Sequence, residues 1–235
     1  MPMCIAFRHN AIILALALAA GLLPAANSTS AQAAGPAAEL WPGGSYGLSS
    51  YENDNWVPLK GRRTIFHCSG YGCRKMGRFV FTDGDIFELA LIMSLALDDD
   101  TAATERSAMA QAVSWMEQRV GRVLGTNRDK ASIGFLAAGN AGQQDCVDEA
   151  RNTAAYLAVL QANGLIRHHG KAQVVNRGNV FSGAMPHYGV VMRETASKRV
   201  WAVDSGVGAN GSLPRIENAE RWYARGGSRP PRFQF

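Results

Sequence analysis

Three side chains, Cys146, His187 and Asp204, occur in an order that can activate a sulfur nucleophile. Cys146 follows Asp145 at the point where a loop is predicted to turn into a helix, and the other two lie in predicted strands. A thiol, an imidazole and a carboxylate supply a nucleophile, a base and a group that orients the base. The pattern therefore predicts thiol chemistry, on the condition that the three side chains converge.

The predicted helix start suits an anionic sulfur. Asp145 is a good N-cap, so Cys146 is expected in the first helical turn, where backbone N–H groups and the helix dipole favour a thiolate. The carboxylates of Asp145, Asp148 and Glu149 act in the opposite direction, because a second negative charge nearby is unfavourable. An imidazolium beside the sulfur is therefore required. The alternative is an unreactive cysteine buried as a small apolar side chain.

His187 and Asp204 are predicted to share one face of a β-hairpin. The runs 187–193 and 199–205 are rich in β-branched and aromatic residues, and four residues of turn character join them. The expected register sets His187 opposite a position between Asp204 and Gly206, so that the ring and the carboxylate are directly opposed or diagonal. A bond between them would leave the second ring nitrogen for the sulfur. The alternative is a structural histidine and a turn-initiating aspartate.

Gln143 and Gln144 precede the cysteine and are candidate donors to an oxyanion. A side-chain amide beside a nucleophile can stabilise the negative charge that develops on the attacked carbonyl oxygen. Backbone N–H groups at the helix start are the alternative donors.

The spacing Cys68-Ser-Gly-Tyr-Gly-Cys73 predicts a small disulfide loop, because an exported chain meets oxidising conditions. A zinc site that adds His67 is the competing interpretation, but two thiols and one histidine are one ligand short of a closed site. We therefore predict a disulfide and no metal site. Cys146 is then the odd thiol, which is a reason to expect a function for it.

Residues 1–33 are predicted to be a signal peptide. Arg8 precedes an apolar run at 11–23, and Ala31-Gln32-Ala33 supplies small residues for cleavage. We expect a periplasmic or secreted protein with no stable membrane insertion once the signal is removed, since no later segment is long and apolar enough. The net charge of +5 is spread along the chain without a basic stripe, so no nucleic-acid partner is expected.

The rest of the chain divides into a Gly-, Pro-, Ala- and Ser-rich arm at 34–55, predicted to be flexible, and a single domain at 56–235. Apolar periodicity predicts three helices, of which the first is apolar nearly all round and is expected to be buried: 85–97, 105–124 and 146–163. Antiparallel strands follow them. Helices packed on an antiparallel sheet define an α+β fold.

Three short motifs resemble the bacterial transglutaminase-like cysteine peptidases. They are Asp-Cys-x-Asp-x-Ala at 145–150, Pro186-His187 at the start of a strand, and Trp-Ala-Val-Asp-Ser at 201–205. The resemblance covers 143–214, roughly a third of the chain. It implies a papain-like α+β core with the nucleophilic cysteine at a helix N-terminus. The family includes exported or periplasmic proteases that act on surface adhesins.

The resemblance implies that Cys146 is the nucleophile, His187 the base and Asp204 the orienting group. The implied reaction is hydrolysis of a peptide or isopeptide bond in a protein or peptide, or transamidation if an amine accepts the acyl group. A non-catalytic binding module at the cell envelope is the alternative. Some relatives bind calcium through acids beside the cysteine, but Val147 here stands where relatives can carry an acid. We therefore expect no cofactor and keep calcium as an alternative.

Overall fold

Along the described part of the chain, three strands are followed by three helices, four further strands and a fourth helix. The computed structural model describes residues 40–42, 63–94, 99–131, 137–180 and 183–235, which all belong to the compact unit Ala37–Phe235. The predicted signal peptide, 1–33, lies outside the described residues, as does most of the predicted arm, 34–55. Part of that arm, Leu40–Pro42, forms a strand.

Within these ranges seven strands form two sheets, and every strand pairs antiparallel with its neighbours. The first sheet has the order β1-β3-β2 and the second the order β4-β5-β6-β7. The α+β class predicted from the sequence is therefore confirmed. The strands are β1 Leu40–Pro42, β2 Thr64–Ser69, β3 Lys75–Val80, β4 Gln173–Arg177, β5 His187–Arg193, β6 Val200–Asp204 and β7 Arg215–Asn218.

In the same described ranges, four helices accompany the sheets: α1 Asp83–Ser94, α2 Ala102–Leu124, α3 Cys146–Ala162 and α4 Ala219–Ala224. Helix α2 begins three residues before its predicted start, because Thr101 and Thr104 form a capping box. It ends at Gly125, which adopts the left-handed conformation with φ 85°. No described helix combines the length and the apolar character needed to cross a bilayer.

The third helix connects the two sheets. Helix α3 packs on β2 of the first sheet and on β5 of the second. Its apolar side chains are fully buried in the main core, together with residues of β2, β5, β6 and α2: Ile65, Val113, Met116, Tyr156, Leu157, Leu160, Val190 and Val203. Burial of this many large side chains makes α3 a rigid support for the residues at its N-terminus.

The first helix differs from its prediction. Leu89 and Met93 are buried, but Phe87 is 72% exposed and Leu91 is 45% exposed, so α1 lies at the surface rather than inside the core. Its helix neighbour is α2, which covers one of its faces. Helix α1 is capped at Thr82, whose hydroxyl accepts the Asp85 N–H at 3.1 Å. Residues 95–97 of the predicted helix lie in a segment that is not described.

Candidate active site

Helix α3 presents the cysteine at its first residue. The N-cap is Asp145, whose carboxylate accepts the Asp148 N–H at 2.9 Å, while the Asp148 carboxylate accepts the Asp145 N–H at 3.3 Å. This reciprocal capping box explains why the helix begins at Cys146. Among the described residues, Cys146 is the cysteine outside a disulfide, and it is half-buried. It lies where the first N–H groups of the helix have no intrahelical acceptor.

The second sheet brings His187 and Asp204 to the same edge. His187 begins β5 and Asp204 ends β6, and the two strands pair with Val190 opposite Val203. Continuing this register sets Asp204 opposite Gly189, so the ring and the carboxylate are diagonal neighbours on one face. This is one of the two arrangements that the hairpin pattern predicted.

The ring of His187 binds the carboxylate of Asp204. His187 Nε2 lies 2.9 Å from Oδ1 and 2.8 Å from Oδ2 of Asp204. The Asp204 side chain is 1% exposed, whereas the His187 side chain is 22% exposed. Donation by Nε2–H to the buried carboxylate fixes the tautomer and leaves Nδ1 for a second partner. The buried group thus orients a ring that remains reachable.

Trp222 is a site residue that the sequence did not reveal. Its indole Nε1–H donates to Asp204 Oδ2 at 2.7 Å, and its ring centroid lies 6.0 Å from that of His187. The indole is fully buried, and Gly189 makes room for it, since a Cβ on that glycine would lie 2.9 Å from Trp222 Cζ2. Trp222 belongs to α4 near the C-terminus. The only feature of the sequence that could have pointed to it is that it is an aromatic residue.

Cys146 meets the other two residues beside Gly206. A Cβ placed on Gly206 would lie 3.3 Å from His187 Cε1 and 3.5 Å from Cys146 Cβ. Burial opposes the charged ring, but the bond to Asp204 and the neighbouring Asp204 and Cys146 groups outweigh it and raise the pKa of His187 to about 9. The three residues selected from the sequence therefore lie together, with the imidazole between the sulfur and the carboxylate.

Glu149 also lies next to Gly206, beside Cys146 and His187. Its Oε2 would lie 2.8 Å from a Cβ on Gly206, and it follows Cys146 by three residues, on the same helix face. Burial raises the pKa of Glu149 well above its usual value, and the nearby Asp129 and Glu117 raise it further. A raised pKa favours the neutral carboxyl, so Glu149 opposes the thiolate less than the sequence suggested. Its spacing of three residues from Cys146 on a predicted helix was the feature of the sequence that could have identified Glu149 as a neighbour of the cysteine.

Two buried acids, one on α2 and one in the segment that follows it, hold the loops that carry the site. Glu117 accepts the Gly211 N–H at 2.9 Å, and burial raises the pKa of Glu117 to about 8. Asp129 accepts the Gln144 N–H at 2.8 Å, and burial raises the pKa of Asp129 to about 6. The first bond holds the loop after β6, and the second holds the residue two positions before Cys146.

The amides of Gln143 and Gln144 are used to hold that same loop. Gln143 Nε2 donates to the carbonyl of Arg128 at 3.1 Å and to that of Gly142 at 3.2 Å. Gln144 Nε2 donates to the carbonyl of Cys68 at 3.2 Å. Both amide nitrogens therefore donate to backbone carbonyl oxygens rather than towards the site of an oxyanion. The N–H groups of the first turn of α3 are the donors that stand beside the sulfur.

The close cysteine pair forms the predicted disulfide, Cys68–Cys73. The zinc alternative is wrong, because the bonded sulfurs are not thiolates and His67 is occupied elsewhere. His67 Nε2 lies 3.0 Å from Thr126 Oγ1, and Nδ1 lies 3.1 Å from the Tyr156 hydroxyl. Burial lowers the pKa of His67 to about 3, so this histidine is a neutral, hydrogen-bonded core residue.

The acids beside the cysteine do not fit a calcium site. Asp145 accepts backbone N–H groups from Gly72 and Asp148, one on each carboxylate oxygen. Asp148 accepts N–H groups from Tyr71 and Asp145 on one oxygen and a further backbone N–H on the other. Oxygen ligands for calcium need lone pairs directed at the ion, and these oxygens face N–H donors instead. No chemical step is therefore assigned to calcium.

The assembled site joins a helix start to a sheet edge. The helix supplies the sulfur and the N–H groups of its first turn, and the hairpin supplies the imidazole and the carboxylate. Such an arrangement can hold a thiolate–imidazolium pair, attack a carbonyl carbon and deliver a proton to a leaving group. No protein-family model, no curated protein and no solved structure matches this chain.

Proposed function

We propose that the protein is an exported cysteine hydrolase with a papain-like, transglutaminase-like core. The observation that carries the proposal is that His187 is hydrogen-bonded to Asp204 and lies beside Cys146, since a Cβ on Gly206 would be within 3.5 Å of both His187 Cε1 and Cys146 Cβ. A histidine that serves only the core bonds structural partners on both nitrogens, as His67 does. His187 instead joins a buried carboxylate to a half-buried thiol at a reachable edge of the fold.

The proposed mechanism is a series of proton transfers through His187. His187 takes the thiol proton, and the Asp204 carboxylate stabilises the resulting imidazolium. The Cys146 thiolate attacks a carbonyl carbon of the substrate, and N–H groups at the start of α3 stabilise the oxyanion. His187 then gives its proton to the leaving amine, which leaves an acyl group on the sulfur. Water releases the acyl group in hydrolysis, and an amine takes it in transamidation.

The proposed substrate is a peptide or isopeptide bond in a protein outside the cytoplasm. The leader-like residues 1–33 support the export, and the disulfide Cys68–Cys73 is compatible with an oxidising compartment. The His187 side chain is 22% exposed, so an external carbonyl group can reach the ring, while the Asp204 carboxylate behind it is shielded from solvent.

Alkylation of Cys146 by iodoacetamide, measured against pH, tests the proposal. We expect the wild-type thiol to react well below pH 8, and His187→Ala to abolish the reaction at low pH. The matched control is His168→Ala, since His168 also pairs with an aspartate, Asp100, at 2.7 Å, but at an exposed position on another part of the surface. The control should keep the wild-type profile.

An ordinary thiol has a pKa of about 8.5. If the wild type and His187→Ala both react only as such a thiol does, the hydrolase proposal fails and the non-catalytic binding module becomes the better interpretation. Mass spectrometry of the peptide that contains Cys146 reports the site of alkylation, and far-UV circular dichroism verifies that each variant is folded.

A further inference from the structure

The disulfide loop has an unusual backbone. Four consecutive residues have positive φ values: Gly70 at 82°, Tyr71 at 71°, Gly72 at 66° and Cys73 at 58°. Tyrosine and cysteine adopt this region at an energetic cost, so the surrounding structure must maintain it. Successive residues in such a conformation turn their N–H groups towards one side and form a concave anion-binding surface.

That concave surface is occupied by the two aspartates that flank Cys146. The Tyr71 N–H donates to Asp148 Oδ2 at 2.8 Å, and the Cys73 N–H donates to Asp148 Oδ1. The Gly72 N–H donates to Asp145 Oδ2 at 2.9 Å. Asp148 is fully buried under the loop. The two carboxyl groups that cap α3 are therefore the ones that the loop holds. Burial and the neighbouring Asp145 raise the pKa of Asp148 to about 7.

The loop is also tied to the body of α3 and to the segment before it. Asn152 and the Cys68 backbone exchange two hydrogen bonds, of 2.7 Å and 2.9 Å. The Gly70 N–H donates to the carbonyl of Gln143 at 2.8 Å. Residues on both sides of Cys146 are thus fastened to the loop, while Cys146 itself lies beside His187 at Gly206.

We propose that the Cys68–Cys73 loop is a positioning element for Cys146, and that the disulfide keeps its N–H groups on Asp145 and Asp148. This inference rests on the proposed function, because the contact it maintains is that between Cys146 and His187. A disulfide restricts the open conformations of the loop that it closes. Without it, the two non-glycine residues are free to leave the left-handed region, and the N–H groups disperse.

The proposal has a redox consequence. A dithiol donates two electrons and two protons, breaks the Cys68–Cys73 bond into two thiols and becomes a cyclic disulfide itself. We expect this reduction to weaken the nucleophile even though Cys146 stays a free thiol throughout. An exported enzyme built this way becomes fully reactive only after its loop has been oxidised.

A double-mutant cycle between the disulfide and His187 tests the proposal. The four proteins are the wild type, Cys68→Ala/Cys73→Ala, His187→Ala and the combination of all three substitutions. The readout is Cys146 alkylation measured from pH 6 to about pH 8.5, a range in which the thiol also reacts when His187 is absent, and circular dichroism verifies folding. We expect loss of the disulfide to slow alkylation by about tenfold when His187 is present and to have no effect when it is absent. A merely structural loss would change both backgrounds alike.

A second variant covers the case in which removal of the disulfide prevents folding. Asp148→Asn keeps the disulfide but replaces one acceptor oxygen with an NH₂ group, which cannot accept the loop N–H groups. We expect slower alkylation over the same pH range, again only when His187 is present. Asp83→Asn is the matched control, since Asp83 is an exposed acid in the first turn of α1.

The outcomes separate the two proposals. If the wild type reacts at low pH and the disulfide-free protein retains that reactivity, or if loss of the disulfide slows alkylation by the same factor in both His187 backgrounds, the positioning role is overturned and the hydrolase proposal stands. If Asp148→Asn keeps the wild-type rate in a chain that folds only with its disulfide, the role is likewise overturned. If the wild type lacks low-pH reactivity, both proposals fail.

Discussion

His187 Nε2 lies within 2.9 Å of both carboxylate oxygens of Asp204, at the edge of the sheet where β5 begins and β6 ends. One aspartate thus holds the ring in a single tautomer and stabilises its positive charge. The remaining ring nitrogen is left for Cys146. The carboxylate is buried and the ring is partly exposed, so the pair is anchored from inside the protein and open to the outside.

Replacing Asp204 with Asn should lower the pKa of His187. The hydrogen bond and the charge of Asp204 act against burial to raise that pKa to about 9, and a nearby opposite charge is worth about one to three pH units. Titration of the His187 ring by NMR measures the change. Asp100→Asn, which alters the partner of His168, should leave the His187 midpoint in place. An unchanged midpoint in Asp204→Asn would contradict the assigned partner.

Replacing Trp222 with Phe should raise the His187 midpoint and destabilise the fold. The indole donates to Asp204 Oδ2, and a carboxylate with one donor fewer attracts the ring proton more strongly. The lost bond to a charged acceptor should cost about 1.5–3 kcal/mol of unfolding free energy, measured with denaturant.

Trp201→Phe is the matched control for that substitution. Trp201 Nε1–H also donates to a carboxylate, that of Glu194 at 3.0 Å, on another part of the fold. Its loss should leave the titration of His187 unchanged. A His187 midpoint that stays fixed or falls in Trp222→Phe would show that the indole does not act through Asp204.

Adding a methyl group at Gly206 should slow the alkylation of Cys146 while leaving the fold largely intact. The new Cβ would lie 2.8 Å from Glu149 Oε2 and 3.3 Å from His187 Cε1, so the ring or the glutamate must move. A displacement of about 1 Å in an active site costs up to about a hundredfold in rate. The expected alkylation rate at pH 6 is therefore about tenfold to a hundredfold lower in Gly206→Ala.

The control for this variant is Gly84→Ala, in the first turn of α1. The nearest atom to a Cβ there is Thr82 Oγ1 at 3.7 Å, an ordinary contact. The alkylation rate should match the wild type, and alanine should stabilise the helix by up to about 1 kcal/mol. Equal rates in Gly206→Ala and Gly84→Ala would argue against a crowded site at Gly206.

Stability should fall as the pH rises, in part because of Glu117. Burial raises the pKa of Glu117 to about 8, above the ordinary value of 4.5, so the folded state holds a proton that the unfolded state releases. The unfolding free energy therefore decreases with rising pH between about 4.5 and 8, by at most about 1.4 kcal/mol per pH unit for one such group.

Glu117→Gln should make that decrease shallower, because glutamine does not titrate. The measurement is denaturant unfolding of the wild type and the variant at several values of pH from 5 to 8. Parallel stability curves for the two proteins would show that Glu117 ionises without cost. His187 also contributes a decrease, since its folded pKa of about 9 exceeds 6.5, but that contribution is common to both proteins.

Local patterns were sufficient for the parts of the site that depend on neighbours in the chain. The N-cap at Asp145 and the start of α3 at Cys146 follow from a side chain and N–H groups three residues apart. The diagonal of His187 and Asp204 follows from the two-residue period of a hairpin with a short turn. The disulfide follows from two cysteines five residues apart.

Patterns in the sequence were misleading where burial depends on distant segments. Helix α1 is apolar nearly all round, yet Phe87 and Leu91 are exposed, because periodicity reports composition and not which faces are covered. The amides of Gln143 and Gln144 stand next to the nucleophile in the chain but donate to backbone carbonyls. An amide satisfies whichever buried carbonyl the tertiary structure places near it.

The sequence alone was sufficient to select the thiol, the imidazole and the carboxylate, because residue type and short-range spacing are local properties. Their convergence, the indole of Trp222 on Asp204 and the buried Glu149 beside Gly206 came only from the packing of α3 between two sheets and of α4 against one of them. Burial and long-range contacts set which groups lose water and which charges they meet, and these set the protonation states on which the chemistry depends.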